Sequence, residues 1–508
     1  MRTPASWEAC AAAAHETLAV KRPWQLLAQI LKDAGNQYGV PGSALARLDA
    51  LAAGKAVMVI TGQQVGYLGG PLYTLLKACH ATRLAAELEE RLGLPVLPLF
   101  WLEGRDHDLE EVRDASYLTA SGELRTLHFT PDETISGFEV GRYRVSADEH
   151  LRELTSAIDS PAELGYDVLR RAYSNTTLAD AMGQLLASIL GPRGLLVVEG
   201  MDPRLKALAL PLWERIISTG PRLTELFYQR ITELETAGWA TPMRPTHDAH
   251  LFYITRDHRR ASLSYIGVLK HPDGHTETLS PEQLIKLVRE NPDAMSPKAA
   301  LRPVYQDYIL PTVAYVAGPG EMDYHTQLTP FYRQFGVVPP SLFPRWSATI
   351  ADHKLLRMVE KSGLTAPHAL TSSAHDLAKE VLREADDGHA AQLFAASRAQ
   401  IEEIFHHLRE HVAVIDPTLA AAAQSSAGRA LHPLEQLQEK TERALKQKHA
   451  AALARLEKIL NALRPHEKLA ERVLCTGYYL SKYGPEKLLA ALDDLPALAK
   501  EHFVLTME

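Results

Sequence analysis

Short apolar runs alternate with amphipathic stretches along the first two thirds of the chain. Five runs have the length and composition of buried parallel strands, and they cover residues 56–60, 94–102, 195–198, 312–316 and 337–343. Helices are predicted between them, over residues 71–91, 203–216 and 321–335. Strands that alternate with helices in this way predict an α/β fold with a parallel, doubly wound sheet.

Two connections between the predicted strands are richer in polar and turn residues, near 122–190 and 240–305. The second contains hairpin-like patches from His250 to Thr255 and from Ser262 to Val268. We interpret both connections as insertions into a nucleotide-binding type of domain, where they cover its binding crevice.

The pattern beyond residue 350 becomes helical. Apolar residues recur there at three- and four-residue spacing, at Ile401, Ile404, Leu408, Val412 and Ile415. After a break from Pro417 to Pro433, a second helix is predicted to carry Leu445 to Leu463, and the pair would form an antiparallel coiled-coil arm. The sequence thus predicts a core over 1–350, an arm over 351–465, and a helical segment over 466–508 that packs on the core.

Composition and charge narrow the class of protein. The 508 residues are 46% apolar and 23% charged, which is typical of a globular protein. No apolar run is long enough to span a membrane, and the N-terminal residues match no targeting signal. The net charge of -8 favours small-molecule substrates over nucleic acid. Three scattered cysteines suit a reducing compartment, so we expect a cytoplasmic protein.

A glycine-rich turn follows the first predicted strand and leads into a helix. Such a turn presents backbone N–H groups and the positive end of the helix, which favour a phosphate or a carboxylate. The candidate binding residues here are Thr61, Gly62, Gln63, Gln64, Gly66, Tyr73 and Lys77. The turn matches neither a P-loop nor a GxGxxG motif, so a purely structural strand-to-helix turn is an open alternative.

A cluster of ionisable residues lies at the end of the second predicted strand. Glu103, Asp106, His107 and Asp108 are the candidate catalytic residues, since ligands in open α/β sheets bind at that end of the strands. They have the chemistry for proton transfer, for holding an ammonium group or for binding a metal ion. One aspartate can instead cap a helix that begins near Leu109.

A second glycine turn follows the fourth predicted strand. The candidate binding residues around it are Gln306, Gly318, Gly320, Glu321 and Tyr324. Glu321 would lie near a helix N-terminus, where a capping role is the alternative. Because two such turns can flank one crevice at a topological switch point, we expect both glycine turns and the Asp-His-Asp cluster to share one pocket.

The combined motifs resemble the bacillithiol-biosynthesis cysteine-adding enzymes, the BshC family. The resemblance rests on residues that keep the same order along nearly the whole chain: 59–66, 70–74, 77, 101–104, 106–108, 301–304, 306–308, 310–316, 318–321, 471–472 and 482–484. It implies a Rossmann-like core with two connecting insertions and a coiled-coil domain through which members dimerise. It also implies the addition of L-cysteine to glucosaminyl malate through an amide bond.

A carbon–nitrogen ligase of this kind needs an activated carboxylate, most simply a cysteinyl adenylate or phosphate, so ATP is the expected cosubstrate. A metal requirement is left open. In this scheme the glycine turns hold a phosphate or the malyl carboxylate, and the Asp-His-Asp cluster accepts the proton of the amine. Two alternatives remain: a nucleotidyltransferase acting on a small acid, and a non-catalytic, nucleotide-binding coiled-coil assembly protein.

Overall fold

The computed structural model describes residues 6–159, 161–200, 202–244, 248–265, 267–385 and 389–507. The described residues form two compact units. The first unit draws on residues 1–120, 124–349 and 471–505, and the second on residues 121–123, 350–470 and 506–508.

The first unit is built on a five-stranded parallel sheet. Its strands are β1 (Val57–Gln64), β2 (Val96–Glu103), β3 (Leu196–Glu199), β4 (Thr312–Ala317) and β5 (Ser341–Pro344). They lie in the order β5-β4-β1-β2-β3, and every neighbouring pair is parallel. The strand order reverses between β1 and β4, which makes that point the topological switch point. The predicted Rossmann-like sheet is confirmed.

Helices cover both faces of this sheet, which explains why its strands are almost continuously apolar. The helices of the first unit span Trp7–Ala19, Trp24–Tyr38, Gly42–Ala46, Leu48–Ala52, Tyr73–Leu92, Asp148–Ala157, Glu163–Ala172, Leu178–Leu190, Pro203–Leu208, Leu210–Thr219, Arg222–Thr236, Pro281–Glu290, Arg302–Ile309, Pro319–Gln327, Thr329–Phe335, Thr476–Tyr483 and Pro485–Asp493. Two of them position the site and are named α1 (Tyr73–Leu92, after β1) and α2 (Pro319–Gln327, after β4).

The connection from β3 to β4 carries a second, antiparallel sheet. Its strands span Asp248–Ile254, Arg260–Ser264, Val268–Lys270, Thr276–Thr278 and Met295–Pro297. The hairpin-like patches predicted from the sequence are among these paired strands. The connection from β2 to β3 contains two smaller sheets, formed by Asp114–Leu118 with Leu124–His128 and by Arg144–Val145 with Thr176–Thr177.

Prolines account for most of the differences from the predicted elements. The fifth strand begins only at Ser341, because Pro339 and Pro340 cannot donate ladder hydrogen bonds. The helices predicted over 203–216 and 321–335 each divide in two, with Pro211 and Pro330 in the first turns of the second halves.

The second unit is helical. Its helices span His353–Glu360, Ala366–Thr371, Ala374–Ala385, His389–Ile415 (α3), Leu419–Lys448 (α4) and Ala450–Leu463. Arg398 contacts Glu435 and Arg409 contacts Gln424, so α3 and α4 run antiparallel, as the predicted arm requires. The predicted break up to Pro433 is wrong. α4 already begins at Leu419 and contains Pro433, because pairing with α3 outweighs one lost hydrogen bond.

The last segment was expected to be helical, and this prediction is only partly correct. It ends in the strand His502–Met507, which pairs with Ser347–Asp352. Among the helices of the described ranges, none combines the length and apolar character that a membrane span requires.

A buried histidine on α1 links the stability of the first unit to pH. His80 is fully buried, stacks on Trp346, and donates from Nε2 to the carbonyl of Ala497 at 2.8 Å. Burial lowers the pKa of His80 from 6.5 to about 4, since it penalises the charged ring. Its contribution to stability is therefore complete above pH 6.5 and is lost as the pH falls toward 4.

We predict that His80→Gln, which keeps a donor near Nε2 but cannot titrate, flattens the loss of unfolding free energy between pH 6.5 and 4. The difference is on the order of 3 kcal/mol over that range. Denaturant titrations at a series of pH values measure it. The exposed His15, changed to Gln, is the matched control and should keep the wild-type slope. An unchanged slope in the His80 variant would contradict the assignment.

Candidate active site

A cavity of about 380 Å³ opens at the carboxyl ends of β1, β2, β4 and β5, across the switch point. Eleven of the predicted site residues line it: Gly62, Gln63, Gln64, Tyr73, Lys77, Glu103, Gln306, Gly318, Gly320, Glu321 and Tyr324. The two glycine turns therefore share one pocket, as their positions after β1 and β4 suggested.

The remaining residues of the first turn shape the loop and lie outside the lining. Thr61 is buried and donates from Oγ1 to the carbonyl of Val316 at 2.9 Å, which ties β1 to β4. A Cβ on Gly66 would lie 2.7 Å from the Cα of Gly70, so only glycine allows this close approach. Thr61 and Gly66 therefore determine the shape of the turn.

Tyr173, from the first insertion, forms hydrogen bonds with the backbone of the same turn. Tyr173 Oη accepts the N–H of Gly69 at 2.7 Å and donates to the carbonyl of Gly66 at 3.1 Å. Gly69 and Gly70 have φ values of 84° and 64°, in the left-handed region that favours glycine. The hydroxyl group of Tyr173 thus holds the backbone of the turn at both ends, so the residues that flank the turn have defined positions.

An ion pair between the buried Lys77 and the partly buried Glu321 connects the two glycine turns. Lys77, on α1, donates from Nζ to Oε2 of Glu321 at 2.6 Å and to the carbonyl of Gly62 at 2.5 Å. Oε2 of Glu321, on α2, also accepts the N–H of Gly318 at 2.6 Å, and Oε1 accepts from Tyr315 Oη at 2.8 Å. The carboxylate of Glu321 therefore already occupies the N-terminus of α2, where the sequence predicted a phosphate or carboxylate of the substrate.

The pKa values of this pair follow from burial and from mutual attraction. Burial lowers the pKa of Lys77, and the charge of Glu321 opposes that shift. For Glu321, burial alone would raise the pKa, but the nearby Lys77 ammonium and the N–H of Gly318 bring the pKa below its usual value. The carboxylate of Glu321 is thus charged at neutral pH.

The Asp-His-Asp cluster lies outside the lining of the cavity. Its Asp106 accepts a hydrogen bond from Gln64 Nε2 at 2.5 Å, whereas the side chain of His107 is 55% exposed and contacts Arg260 from the second sheet. Burial raises the pKa of Asp106, but the nearby Arg302 and Arg260 and the hydrogen bond from Gln64 lower it by a larger amount. The pKa of Asp106 is therefore below its usual value. Asp106 therefore orients a lining residue, Gln64, and the proton-transfer role predicted for the cluster is not supported by its position.

The helix expected near Leu109, with Asp106 or Asp108 as its cap, does not form. The N–H groups of Val112 and Arg113 both donate to the carbonyl of Leu109, and the chain then enters the strand Asp114–Leu118. Residues 109–113 are a turn, because the next strand begins before a helix can propagate.

Hydrogen-bond acceptors face the cavity near β2. Glu103 is 7% exposed, and its Oε1 atom is buried without a hydrogen-bond partner anywhere in the described part of the chain. Its Oε2 atom lies 3.8 Å from Nε of Arg302. Gln306 donates from Nε2 to Asp307 at 3.3 Å, which leaves its amide oxygen for another partner. This end of the cavity is suited to an ammonium, an amine or hydroxyl groups.

Cationic side chains face the cavity near β5. Arg345 immediately follows this strand, and its guanidinium lies 5.2 Å from the centre of the Tyr73 ring. The exposed Arg472 joins it in the lining. The lining residues that were not among the predicted site residues are Trp101, Arg302, Pro303, Tyr315, Pro319, Arg345 and Arg472. In the sequence, Arg345 directly follows the last predicted strand, and Arg472 belongs to the segment 471–472 that carries the family resemblance.

Glu103, with Arg302 3.8 Å away, therefore lies at one end of the cavity and Arg345 and Arg472 lie at the other, with the Lys77–Glu321 pair between them. Within the described ranges, no group of three or more His, Cys, Asp and Glu side chains is placed to hold a metal ion. The arrangement can orient a ligand that carries an amine at one end and carboxylates at the other.

Comparisons with known proteins agree with this architecture. The family model for the bacillithiol biosynthesis BshC N-terminal Rossmann-like domain matches residues 3–346, and the model for the BshC C-terminal coiled-coil domain matches residues 348–507. The chain belongs to the BshC family.

Individual BshC relatives are similar over nearly their whole length. Proteins named "Putative cysteine ligase BshC" occur in Salinibacter ruber, Koribacter versatilis and Geobacillus kaustophilus, and they are 32%, 31% and 30% identical to this chain. The alignments cover 97%, 94% and 91% of the chain, and 90%, 89% and 87% of the relatives. As a member of the BshC family, the protein is a ligase that acts on small molecules.

Breaking the central ion pair should destabilise the protein. Lys77→Met leaves the partly buried carboxylate of Glu321 without its cation, so we predict a loss of about 3 kcal/mol in the free energy of unfolding. The double variant Lys77→Met/Glu321→Gln should recover part of that loss, because no buried charge is then left alone. Denaturant titration measures both.

The exposed helical pair Lys286–Glu290 provides the control for this prediction. Lys286→Met should change the stability little, since exposed pairs contribute little. If Lys77→Met were equally harmless, the pair would not hold the two turns together.

Proposed function

We propose that this protein joins L-cysteine to glucosaminyl malate by forming an amide bond, in the cytoplasm. The BshC relatives are named as cysteine ligases, which supports cysteine as one substrate. The single observation that carries the proposal is the separation of charge in the cavity. Glu103 is the last residue of β2, and Arg345 directly follows β5, which lies three strands away in the sheet. At the spacing of neighbouring strands, the two residues are separated by about 14 Å. A ligand with an amine and two carboxylates matches such a cavity.

At the cationic end, Arg345 and Arg472 pair with the carboxylates of the malyl group. Arginine suits this task because its planar guanidinium binds a carboxylate through two parallel hydrogen bonds. At the other end, Glu103 and Gln306 hold the glucosamine amine and its neighbouring hydroxyl groups. The unpartnered Oε1 atom of Glu103 then gains the donor that its burial calls for.

The reaction forms a bond between the carboxyl carbon of cysteine and the glucosamine nitrogen. One oxygen of the cysteine carboxylate must leave, and we propose that ATP activates it as an adenylate or an acyl phosphate. The leaving group is then AMP or phosphate. The nitrogen loses a proton as it attacks, and Glu103 is the acceptor that lies in the lining of the cavity.

Incubation of the purified protein with cysteine, glucosaminyl malate and ATP tests this function. Mass spectrometry should detect the amide product, and the release of AMP or ADP identifies the activation step. An adenylated acid without amide would instead support a nucleotidyltransferase. Binding without any turnover would support a non-catalytic assembly protein.

The identity of the proton acceptor has its own test. Glu103→Gln preserves the shape of the side chain but removes its basicity, so we predict that kcat falls by about 10²-fold or more. His107→Ala should stay within about threefold of the wild type, because His107 lies outside the cavity. Glu110→Gln, at an exposed site, is the control. If kcat fell more in the His107 variant than in the Glu103 variant, the Asp-His-Asp cluster would be the proton acceptor.

We also propose that two copies associate through α3 and α4. Exposed apolar side chains on this helical pair support the proposal, at Leu393, Ile404, Leu408 and Leu437. On α3, residues 393, 404 and 408 share one face of the helix. Ile404→Glu/Leu408→Glu should convert a dimer into a monomer in light-scattering measurements, while Glu403→Lys on the same helix should not. A monomeric wild type would contradict the proposal.

A further inference from the structure

A fully buried carboxylate lies directly behind the cationic end of the cavity. Glu471 is 0% exposed and receives three hydrogen bonds. Its Oε1 atom accepts from Arg345 Nη2 at 2.6 Å and from Ser347 Oγ at 3.0 Å, and its Oε2 atom accepts from the N–H of Ala348 at 2.8 Å. No part of Glu471 lines the cavity, so any effect it has on a ligand passes through another residue.

Arg345 is the residue on which Glu471 acts. With Nη2 bound to Glu471, the other terminal nitrogen, Nη1, donates to the carbonyl of Trp346 at 2.7 Å. The guanidinium lies over the ring of Tyr73, and Nε lies 3.8 Å from the position that a Cβ of Gly318 would take. These contacts hold a long, flexible side chain in one orientation, so little further conformational entropy is lost when a ligand binds.

The same short segment supplies the second cation. Arg472 follows Glu471 directly and faces the cavity. The chain after it is bound to the first glycine turn, since the carbonyl of Leu474 accepts the N–H of Leu72 at 3.0 Å and the N–H of Thr476 donates to the carbonyl of Gly70 at 2.7 Å. Anchoring Glu471 therefore places both arginines relative to one another.

A purely structural role would not require a charge at this position. Burying a carboxylate costs several kcal/mol, and apolar residues often replace buried ion pairs without loss of stability. The benefit of a charge here is directional, because a carboxylate fixes where the N–H groups of a guanidinium point.

We propose that Glu471 is a positioning residue that orients Arg345, so that Arg345 and Arg472 together form a binding site for the carboxylates of the substrate. The identity of those carboxylates as the malyl group rests on the proposed function. The positioning role itself needs only a small dicarboxylate as a probe.

Calorimetric binding of L-malate to the full-length protein tests this role without turnover. Glu471→Gln is nearly isosteric, yet its amide must direct an NH₂ group at one of the three donors, so at least one contact is lost. We expect this variant to weaken malate binding at least tenfold. Glu486→Gln, at an exposed position in the same unit, should bind as the wild type does.

A double-mutant cycle separates positioning from a general structural effect. In an Arg345→Ala background, adding Glu471→Gln should weaken malate binding by less than twofold, because the residue through which it acts is already gone. If Glu471→Gln does not fold, Glu471→Asp keeps the charge but retracts it, and an intermediate loss of affinity is expected.

Three results would overturn the proposal: unchanged malate binding in Glu471→Gln, effects that multiply fully in the double variant, or no malate binding by the wild type. Loss of ligation with malate binding intact would count against the proposed reaction and leave the positioning role in place.

Discussion

The ion pair between Lys77 and Glu321 is the contact on which the geometry of this site depends. It joins α1, which follows β1, to α2, which follows β4, across the point where the strand order reverses. Crevices of doubly wound sheets open at that point because the helices on either side lie on opposite faces of the sheet. A contact that bridges them sets the width of the crevice. Because the pair also binds the backbone of Gly62 and Gly318, it fixes both turns together.

Lys77 and Glu321 neutralise each other at the centre of the crevice, so the other charged side chains lie at its ends. Lys77 and Glu321 satisfy each other, so neither presents a full charge to a ligand. The other charged groups of the lining are Glu103, which lies 3.8 Å from Arg302, on one side, and Arg345, which pairs with Glu471, together with Arg472 on the other. In a water-poor cleft such charges act more strongly than they would on an open surface. The Lys77–Glu321 pair therefore separates the charged groups at the two ends of the cavity.

Local patterns in the sequence predicted the strands and both glycine turns. Burial on both faces makes the strands continuously apolar, and the turns need residues that tolerate positive φ or a close approach. Lys77 and Glu321 were both recognised as candidates, but their pairing across 244 positions has no local signal. Arg472 was missed for the same reason, since it reaches the cavity only through the return of the chain to the first unit.

The Asp-His-Asp cluster shows the opposite case: its residues are close to Glu103 in sequence but lie outside the lining of the cavity. The chain leaves the sheet directly after Glu103. Hydrogen bonds from the N–H groups of Val140 and Gly141 to the carbonyls of Asp106 and Gly104 draw it toward the first insertion. Arg105 pairs there with the buried Glu139 at 2.6 Å. A dense run of ionisable residues predicts a polar segment, but the tertiary hydrogen bonds of its backbone decide which side chain faces the ligand.

The place of Arg472 in the chain explains how one fold combines a precise cavity with a long helical insertion. Residues 350–470 form the second unit, and the chain on either side of them is joined by the bonds from Ser347 and Ala348 to Glu471. The entropic cost of closing a loop grows only with the logarithm of its length. Once those bonds fix the two ends, the helices between them can lengthen or shorten without moving Arg345 or Arg472. The geometry of the cavity is therefore determined within the first unit, whatever the length of the helices in the second.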